Sequence, residues 1–233
     1  MIHTRFNPSL NGNLHLGHVF TCLVNEYVAH SAGGKFIIRF DDTSYTSNRV
    51  GHRMDKIRHL QQEIIEWLEI PVDEWSFQSD MMDDVKNVLH FIHHFVPPKE
   101  NQLGYILPTS IRFGTDFIFY PYAPEQTAER VVMDNLQGIT HIIRGEDFIT
   151  EFSYYAYCCQ TLDCPLPEFW CLPRLSAGGR DISKTNGGFT VAEYRANGYT
   201  PKEIKDMLAK SCLTNPPNGW SLYNIKSNPM LSI

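Results

Sequence analysis

Two histidines set three positions apart, His15 and His18, enclose Leu16 and Gly17 directly after a turn-forming stretch, Asn7-Pro-Ser-Leu-Asn-Gly-Asn13. Imidazoles at the positive end of a helix dipole can donate hydrogen bonds to phosphate oxygens. Gly17 has no Cβ, which predicts that a flat base or a ribose can approach the backbone closely. The chemistry expected of this group is the binding of a nucleoside triphosphate, ATP above all. The plainer alternative is a helix start with polar surface residues.

The elements around the pair must place it. Alternation from Ile2 to Phe6 predicts a strand, and Val19, Phe20, Leu23, Val24 and Tyr27 form the stripe of a helix over 18–31, stopped by Gly33-Gly34. Phe36 to Phe40 reads as a strand that delivers Asp41-Asp42-Thr43 at its carboxyl end. A helix follows over about 50–68, with Met54, Ile57, Leu60, Ile64, Ile65 and Leu68 on one face and Pro71 forbidding continuation. Strand–helix–strand–helix order predicts an α/β fold with a parallel sheet and crossovers, which binds ligands at the carboxyl ends of its strands. Both His18 and Asp41 fall at such ends.

Further along, a helix is expected over 80–95 and a small insertion over 99–128, with strands at Ile111 to Phe113 and Asp116 to Tyr120. Strands are expected at Arg130 to Met133, His141 to Arg144 and Phe169 to Pro173, with a helix at Thr150 to Thr161 between the last two. A glycine-flanked loop starts at Gly178-Gly179, and a final helix runs from Lys202 to Leu213. Residues 214–233 carry three prolines and little periodicity, and are expected as a surface-draped or partly disordered tail.

At 233 residues, 42% hydrophobic, the chain can bury a full core. No apolar run reaches the ~20 residues that span a bilayer, and a strand from residue 2 leaves no room for a signal peptide. Cys22, Cys158, Cys159, Cys164, Cys171 and Cys212 lack disulfide-scaffold spacing and read as reduced thiols of a cytoplasmic protein. A net charge of −6 argues against broad coating of nucleic acid. The one basic cluster, Arg49, Arg53, Lys56 and Arg58 with His52 and His59, is a solvated helix face or a local RNA contact. His90, His93 and His94 lack a fourth ligand nearby, so no metal site is expected among them.

The chain resembles the glutamyl/glutaminyl subgroup of class I aminoacyl-tRNA synthetases, in its catalytic domain. Arg5-Phe-Asn-Pro-Ser-Leu-Asn-Gly with His15-Leu-Gly-His18 looks like the opening RFAPSPTGxLHIGH, and Arg39-Phe-Asp-Asp-Thr43 looks like the strand end RIEDTD. Val131-Val-Met-Asp134 with Gly138-Ile-Thr-His-Ile-Ile-Arg-Gly-Glu-Asp147 looks like VVDDxxxGITHVIRGED. Asp181-Ile-Ser-Lys-Thr185 looks like the KLSKR form of the KMSKS loop, and Glu193 to Pro201 like the segment that follows it.

The resemblance implies a Rossmann-like, HUP-type sheet with a short insertion and a C-terminal helical segment. Residues 1–96 and 116–200 would be the two catalytic halves, 97–115 a reduced insertion, and 201–233 a truncated stem-contact helix and tail. It implies an enzyme in which an amino acid's α-carboxylate attacks the α-phosphorus of ATP, giving an aminoacyl-adenylate and pyrophosphate. His15 and His18 would stabilise charge on the α-phosphate. Lys184 would neutralise the leaving group, with Ser183 nearby and magnesium carried on the phosphates. Arg5, Ser9, Asp41 and Arg144 map to the amino-acid pocket. There two guanidiniums favour an acidic substrate, glutamate by default, and Asp41 holds the ammonium. Arg144 has a second reading as an ion-pair partner of Glu146 or Asp147.

Departures qualify this picture. Asp41 stands where the family has Glu, and Gln126 and Arg130 stand where it has the Tyr and Asn of PTYxxAN. Asp181 replaces the first lysine of the loop and would repel pyrophosphate unless Arg180 takes over. The acceptor-stem insertion is short, and nothing after residue 213 matches an anticodon-binding domain. Glutamyl-queuosine synthetases are similarly truncated, but no cysteine between Cys22 and Cys158 is present to form their zinc site. Three functions follow: glutamate activation with transfer to tRNA or a tRNA-like acceptor; transfer to a small molecule, carrier protein or modified base; or a weak ATP- and amino-acid-binding module.

Overall fold

The computed structural model describes residues 1–43, 50–95, 112–113, 116–117, 124–145, 148, 151–172, 176–177, 180–181 and 190–213. Strands β1 (Thr4–Phe6), β2 (Phe36–Phe40) and β3 (Glu74–Phe77) form a parallel sheet in that order. Helix α1 (Leu16–Ser31) crosses from β1 to β2; α2 (Val50–Gln61) and a π-helical continuation (Gln62–Trp67) lie between β2 and β3. After α3 (Gln78–Phe95) and a short hairpin of β4 (Arg112–Phe113) with β5 (Asp116–Phe117), α4 (Pro124–Leu136) leads into a second parallel pair. That pair is β6 (His141–Gly145) and β7 (Glu168–Leu172), with α5 (Phe152–Thr161) between them. The N–H groups of Thr140 and His141 donate to the carbonyl of His3 at 3.0 and 3.2 Å, which sets β6 against the β1 edge. The chain continues through the antiparallel pair β8 (Ser176–Ala177) and β9 (Arg180–Asp181) to α6 (Val191–Ala196) and α7 (Pro201–Leu213).

The strand period of two sorts β2 onto two cores. Phe36, Ile38 and Phe40 pack in one cluster with Leu16, Val19 and Phe20 of α1. Ile37 packs in the other, with Ala128, Val131 and Val132 of α4 and Tyr155 and Cys158 of α5. Arg39 shares parity with Ile37, so its side chain meets α4. The buried Asn25 of α1 ties the layers together: its Nδ2 donates to the carbonyl of Ile143 at 3.1 Å, and its own carbonyl accepts from Thr4 Oγ1 at 2.8 Å. Gly33 and Gly34 close α1 with a pair of bonds, Gly33 N–H to His30 and Gly34 N–H to Ala29, at 3.0 and 2.8 Å. Gly33 has φ of 64°, and a Cβ on Gly34 would fall 1.6 Å from the carbonyl oxygen of Ile2.

The expected α/β fold with parallel strands and crossovers is the one observed, with four differences. Residues 130–133 are helix rather than strand. Val131 and Val132 read as β-branched strand residues, yet 128, 131 and 132 share the helical spacing that buries them. Strand β3 was not expected, because four alternating residues give little signal. The helix over 50–68 widens to π geometry after Gln61; this rotates Ile65 outward to 41% exposure, while Ile64 and Leu68 stay buried. Met54 and Tyr27, expected on buried stripes, also face solvent. The expected tail lies outside the described residues, as does most of the expected insertion. Cys22, Cys158, Cys159 and Cys171 are buried free thiols, and burial pushes the Cys22 and Cys159 thiols up. Among the described residues no helix is long and apolar enough to cross a membrane.

Candidate functional site

His15 is the N-cap of α1, with extended backbone, and its Nδ1 accepts from the Gly17 N–H at 3.2 Å. His18, three residues on, returns the favour: its Nδ1 accepts from the His15 N–H at 3.3 Å. The two imidazoles thus form a reciprocal capping box and stack with ring centroids 3.7 Å apart. A ring nitrogen that accepts carries no proton, so each neutral ring bears its hydrogen on Nε2. Both rings are half-buried. The helix start therefore presents two Nε2–H donors as well as its own dipole. Gly17 has a role within the cap itself: a Cβ there would meet Cε1 and Nδ1 of His15 at 3.1 and 3.2 Å. The missing side chain makes room first for the folded-back imidazole.

Ser9 and Asp41 form a parallel bridge beyond the ends of β1 and β2, and the Asp41 N–H donates to the Pro8 carbonyl at 3.0 Å. The structure therefore gathers His15, Gly17, His18, Ser9 and Asp41 at the carboxyl ends of adjacent strands. Arg144 lies at the carboxyl end of β6, its guanidinium carbon 3.1 Å from the ring centroid of Phe148. Arg130 pairs with Glu151 and stands 6.0 Å from the same ring. Gln126 is exposed on the first turn of α4.

Arg5, expected in the amino-acid pocket, is buried against an acid of α4. Its Nε and Nη2 both donate to the carboxylate of Asp134, each at 3.0 Å, and the side chain is 2% exposed. Arg39 approaches the same carboxylate at 2.8 Å, and the Tyr155 hydroxyl donates to it at 2.9 Å. Desolvation acts against the Asp134 charge, but Arg5, Arg39 and these hydrogen bonds outweigh it and hold the carboxyl well below its usual range. The same burial drives Arg39 down, whereas Asp134 holds Arg5 up. Arg39 also donates to Gln137 Oε1 at 2.9 Å. Two guanidiniums and one carboxylate leave a positive excess beneath the strand ends. Sequence reasoning gave Arg39 and Asp134 no role of their own. Their signal was a charge inside an otherwise apolar strand, and an acid after Val-Val-Met.

Asp42 is also structural: it pairs with Arg53 and accepts from the Ser79 N–H at 2.9 Å, capping α3. The Arg53 of the basic cluster is thereby occupied. Arg180 lies in β9, and Ser183 and Lys184 lie outside the described residues. Thr190, the N-cap of α6, bridges His15 through its backbone, and the Val191 N–H donates to the Leu14 carbonyl at 2.8 Å, so the start of α6 is fastened beside the imidazole pair. Among the described residues no three or more His, Cys, Asp or Glu side chains gather as a metal cage.

Known proteins share this architecture. Glutamate–tRNA ligase 1 of Rubrobacter xylanophilus is 28% identical over 239 residues, covering 92% of this chain and 54% of that protein. Glutamate–tRNA ligase 2 of Neorickettsia sennetsu is 28% identical over 240 residues, covering 94% and 56%. The chain spans about half the length of these curated relatives. The crystal structure of a glutamate–tRNA synthetase from Elizabethkingia anophelis superposes with a TM-score of 0.63 at 21% identity, over 89% of this chain and 61% of that one. The model of the class I tRNA synthetases (E and Q), catalytic domain, matches residues 1–93 and 123–218. Because that match takes in both parallel strand groups and the imidazole pair at the start of α1, the chain belongs to the class I (E and Q) tRNA synthetase catalytic-domain family.

Proposed function

We propose that the chain uses ATP to activate glutamate or a close acidic analogue as an aminoacyl-adenylate, and passes the acyl group to tRNA or a tRNA-like acceptor. The observation that carries this reading is the stacked imidazole pair at the N-terminus of α1, together with the Ser9–Asp41 bridge beyond the ends of β1 and β2. In it, His15 and His18 donate to the α-phosphate, where charge develops as the carboxylate attacks phosphorus. Asp41 and Ser9 hold the amino acid's ammonium end. Arg144, with Gln126 and Arg130 nearby in sequence pattern, meets its side-chain carboxylate, supported by the positive excess of Arg5 and Arg39. Ser183, Lys184 and Arg180 act on the pyrophosphate, and magnesium enters on the triphosphate.

ATP–pyrophosphate exchange across the twenty amino acids and simple acidic analogues tests this. Exchange with glutamate or one analogue is expected; exchange with none of them sinks the reading. Charging of bulk tRNA then separates acceptors, since exchange without labelled tRNA directs the acyl group to a small molecule, carrier protein or modified base. A second reading, an ATP- and amino-acid-binding module, is favoured by the closure of Arg5 on Asp134 and of Arg130 on Glu151. Tight ATP binding by calorimetry without exchange would select it.

A further inference from the structure

A cavity of about 410 Å³ lies between the π-helical segment and α6. His59, Gln62 and Glu63 line one wall; Ala192, Arg195 and Ala196 line the other. Its volume falls in the range of roughly 300–1,000 Å³ typical of small-molecule pockets. Glu63 is the anomaly in that wall. Its side chain is 4% exposed, His59, Lys56 and Arg195 are the cations that face it, and among the described residues its Oε2 has no hydrogen-bond donor. His59 Nε2 pairs with Oε1 at 2.9 Å, which leaves Oε2 to the cavity. A buried acid short of donors is costly, and the π-turn that places it is a geometry recurrent at functional sites. Across the cavity Arg195 is exposed, with its guanidinium carbon 6.0 Å from the Trp67 ring centroid. Val191, Ala192 and Ala196 give the lining its apolar part.

We infer that this cavity is a second ligand site, built for a small ammonium–carboxylate zwitterion of the free α-amino-acid class. The ammonium supplies the donors that Glu63 lacks, Arg195 takes the carboxylate, and the alanine methyls cover an apolar side chain. The site has no part in the proposed adenylation. It touches that region only through α6, whose N-cap Thr190 bridges His15.

The test is saturation-transfer NMR on the full chain with each of the twenty amino acids, alongside n-butylamine and butyrate as single-charge probes. An apolar amino acid is expected to bind. Its affinity should fall about tenfold or more in Glu63→Gln and in Arg195→Ala, the loss of a charge-assisted bond. Asp41→Asn, which removes the proposed anchor for the ammonium in the catalytic pocket, should leave that binding unchanged, which separates this site from the proposed catalytic one. Ala192→Leu fills the cavity with both charges intact and should abolish binding, so the inference stays testable if Glu63→Gln does not fold. Butylamine or butyrate binding as tightly as the amino acid, binding insensitive to Ala192→Leu, or no binding by any amino acid would each overturn it.

Discussion

Each imidazole of the pair has two jobs, and they can be separated. His15 caps α1 through Nδ1 and offers Nε2–H on the other side of the ring. Replacing it with alanine removes the cap, at about 1 kcal/mol of stability, and removes one donor, which should lower pyrophosphate exchange on the order of 10²-fold. His15→Asn restores a capping oxygen without restoring the imidazole. Urea denaturation is therefore expected to place Asn near wild type and Ala below it, while exchange stays low in both. Equal stability losses in the two variants would show that the cap is not what the ring contributes. The neighbouring cations obey the same logic of prior commitment. Arg5 reads from sequence as a substrate clamp, and in the fold its Nε and Nη2 already donate to Asp134.

At the scale of elements, the π-turn decides which face of a helix is buried. Ile64 is 1% exposed and Ile65 41%, although uninterrupted α-helical spacing puts both on the apolar stripe. Ile64→Ala should cost about 2–5 kcal/mol, in the range of a core truncation; Ile65→Ala should stay within about 0.5 kcal/mol. Chemical denaturation of the pair measures the difference, and similar costs would mean that the helix is regular. A second contact between elements sets a pH dependence. His30, at the end of α1, bonds Asp73 at 2.7 Å and Glu26 at 2.8 Å, while Asp73 also accepts from the Phe36 N–H at the start of β2. The Asp73 hydrogen bond, with help from Glu26 and against burial, raises the His30 pKa. The stability this adds is fully present below the unfolded value of about 6.5 and is lost as pH rises through the higher folded value. The Phe36 N–H, aided by His30, lowers the Asp73 pKa, so its contribution is present above the ordinary carboxylate range and is lost as pH falls. Thermal unfolding across pH 5 to 9 should show the His30 limb in wild type and not in His30→Gln; an unchanged profile would remove His30 as its source.

Across the whole molecule, the two parallel strand groups come from separate stretches of chain, yet they share buried polar links. Arg5 of β1 and Arg39 of β2 meet Asp134 of α4, and Asn25 of α1 meets Ile143 of β6. Such ties make one cooperative unit. Unfolding watched at Trp75 in the first group and at Trp170 in the second, in single-tryptophan variants, should coincide. Asp134→Asn should lower stability by about 3–5 kcal/mol, the cost of stranding a buried charge, and should shift both probes together. Separate midpoints in the wild-type background would mean that the halves fold on their own.

Legibility followed the range of the interactions. The strand Phe36–Phe40, the helix stop at Gly33-Gly34 and the placing of His18 and Asp41 at strand ends were all readable. Each depends on residues within a turn or two of one another, where period and backbone freedom act directly. Residues 130–133 misled because two valines favour a strand locally, while their burial against α5 and β2 requires a helix. The same reason underlies Arg5 and Arg39. Sequence pattern put charge near the site, but which carboxylate neutralised it was decided by Asp134, some hundred positions away and brought close only by the packing of α4 under the sheet. Likewise the second cavity exists only because a π-turn and α6 face each other. By itself the sequence determined the strand–helix order and the imidazole pair, which rest on local geometry. The tertiary structure decided which charges face solvent, substrate or each other, because in a buried site the nearest opposite charge wins.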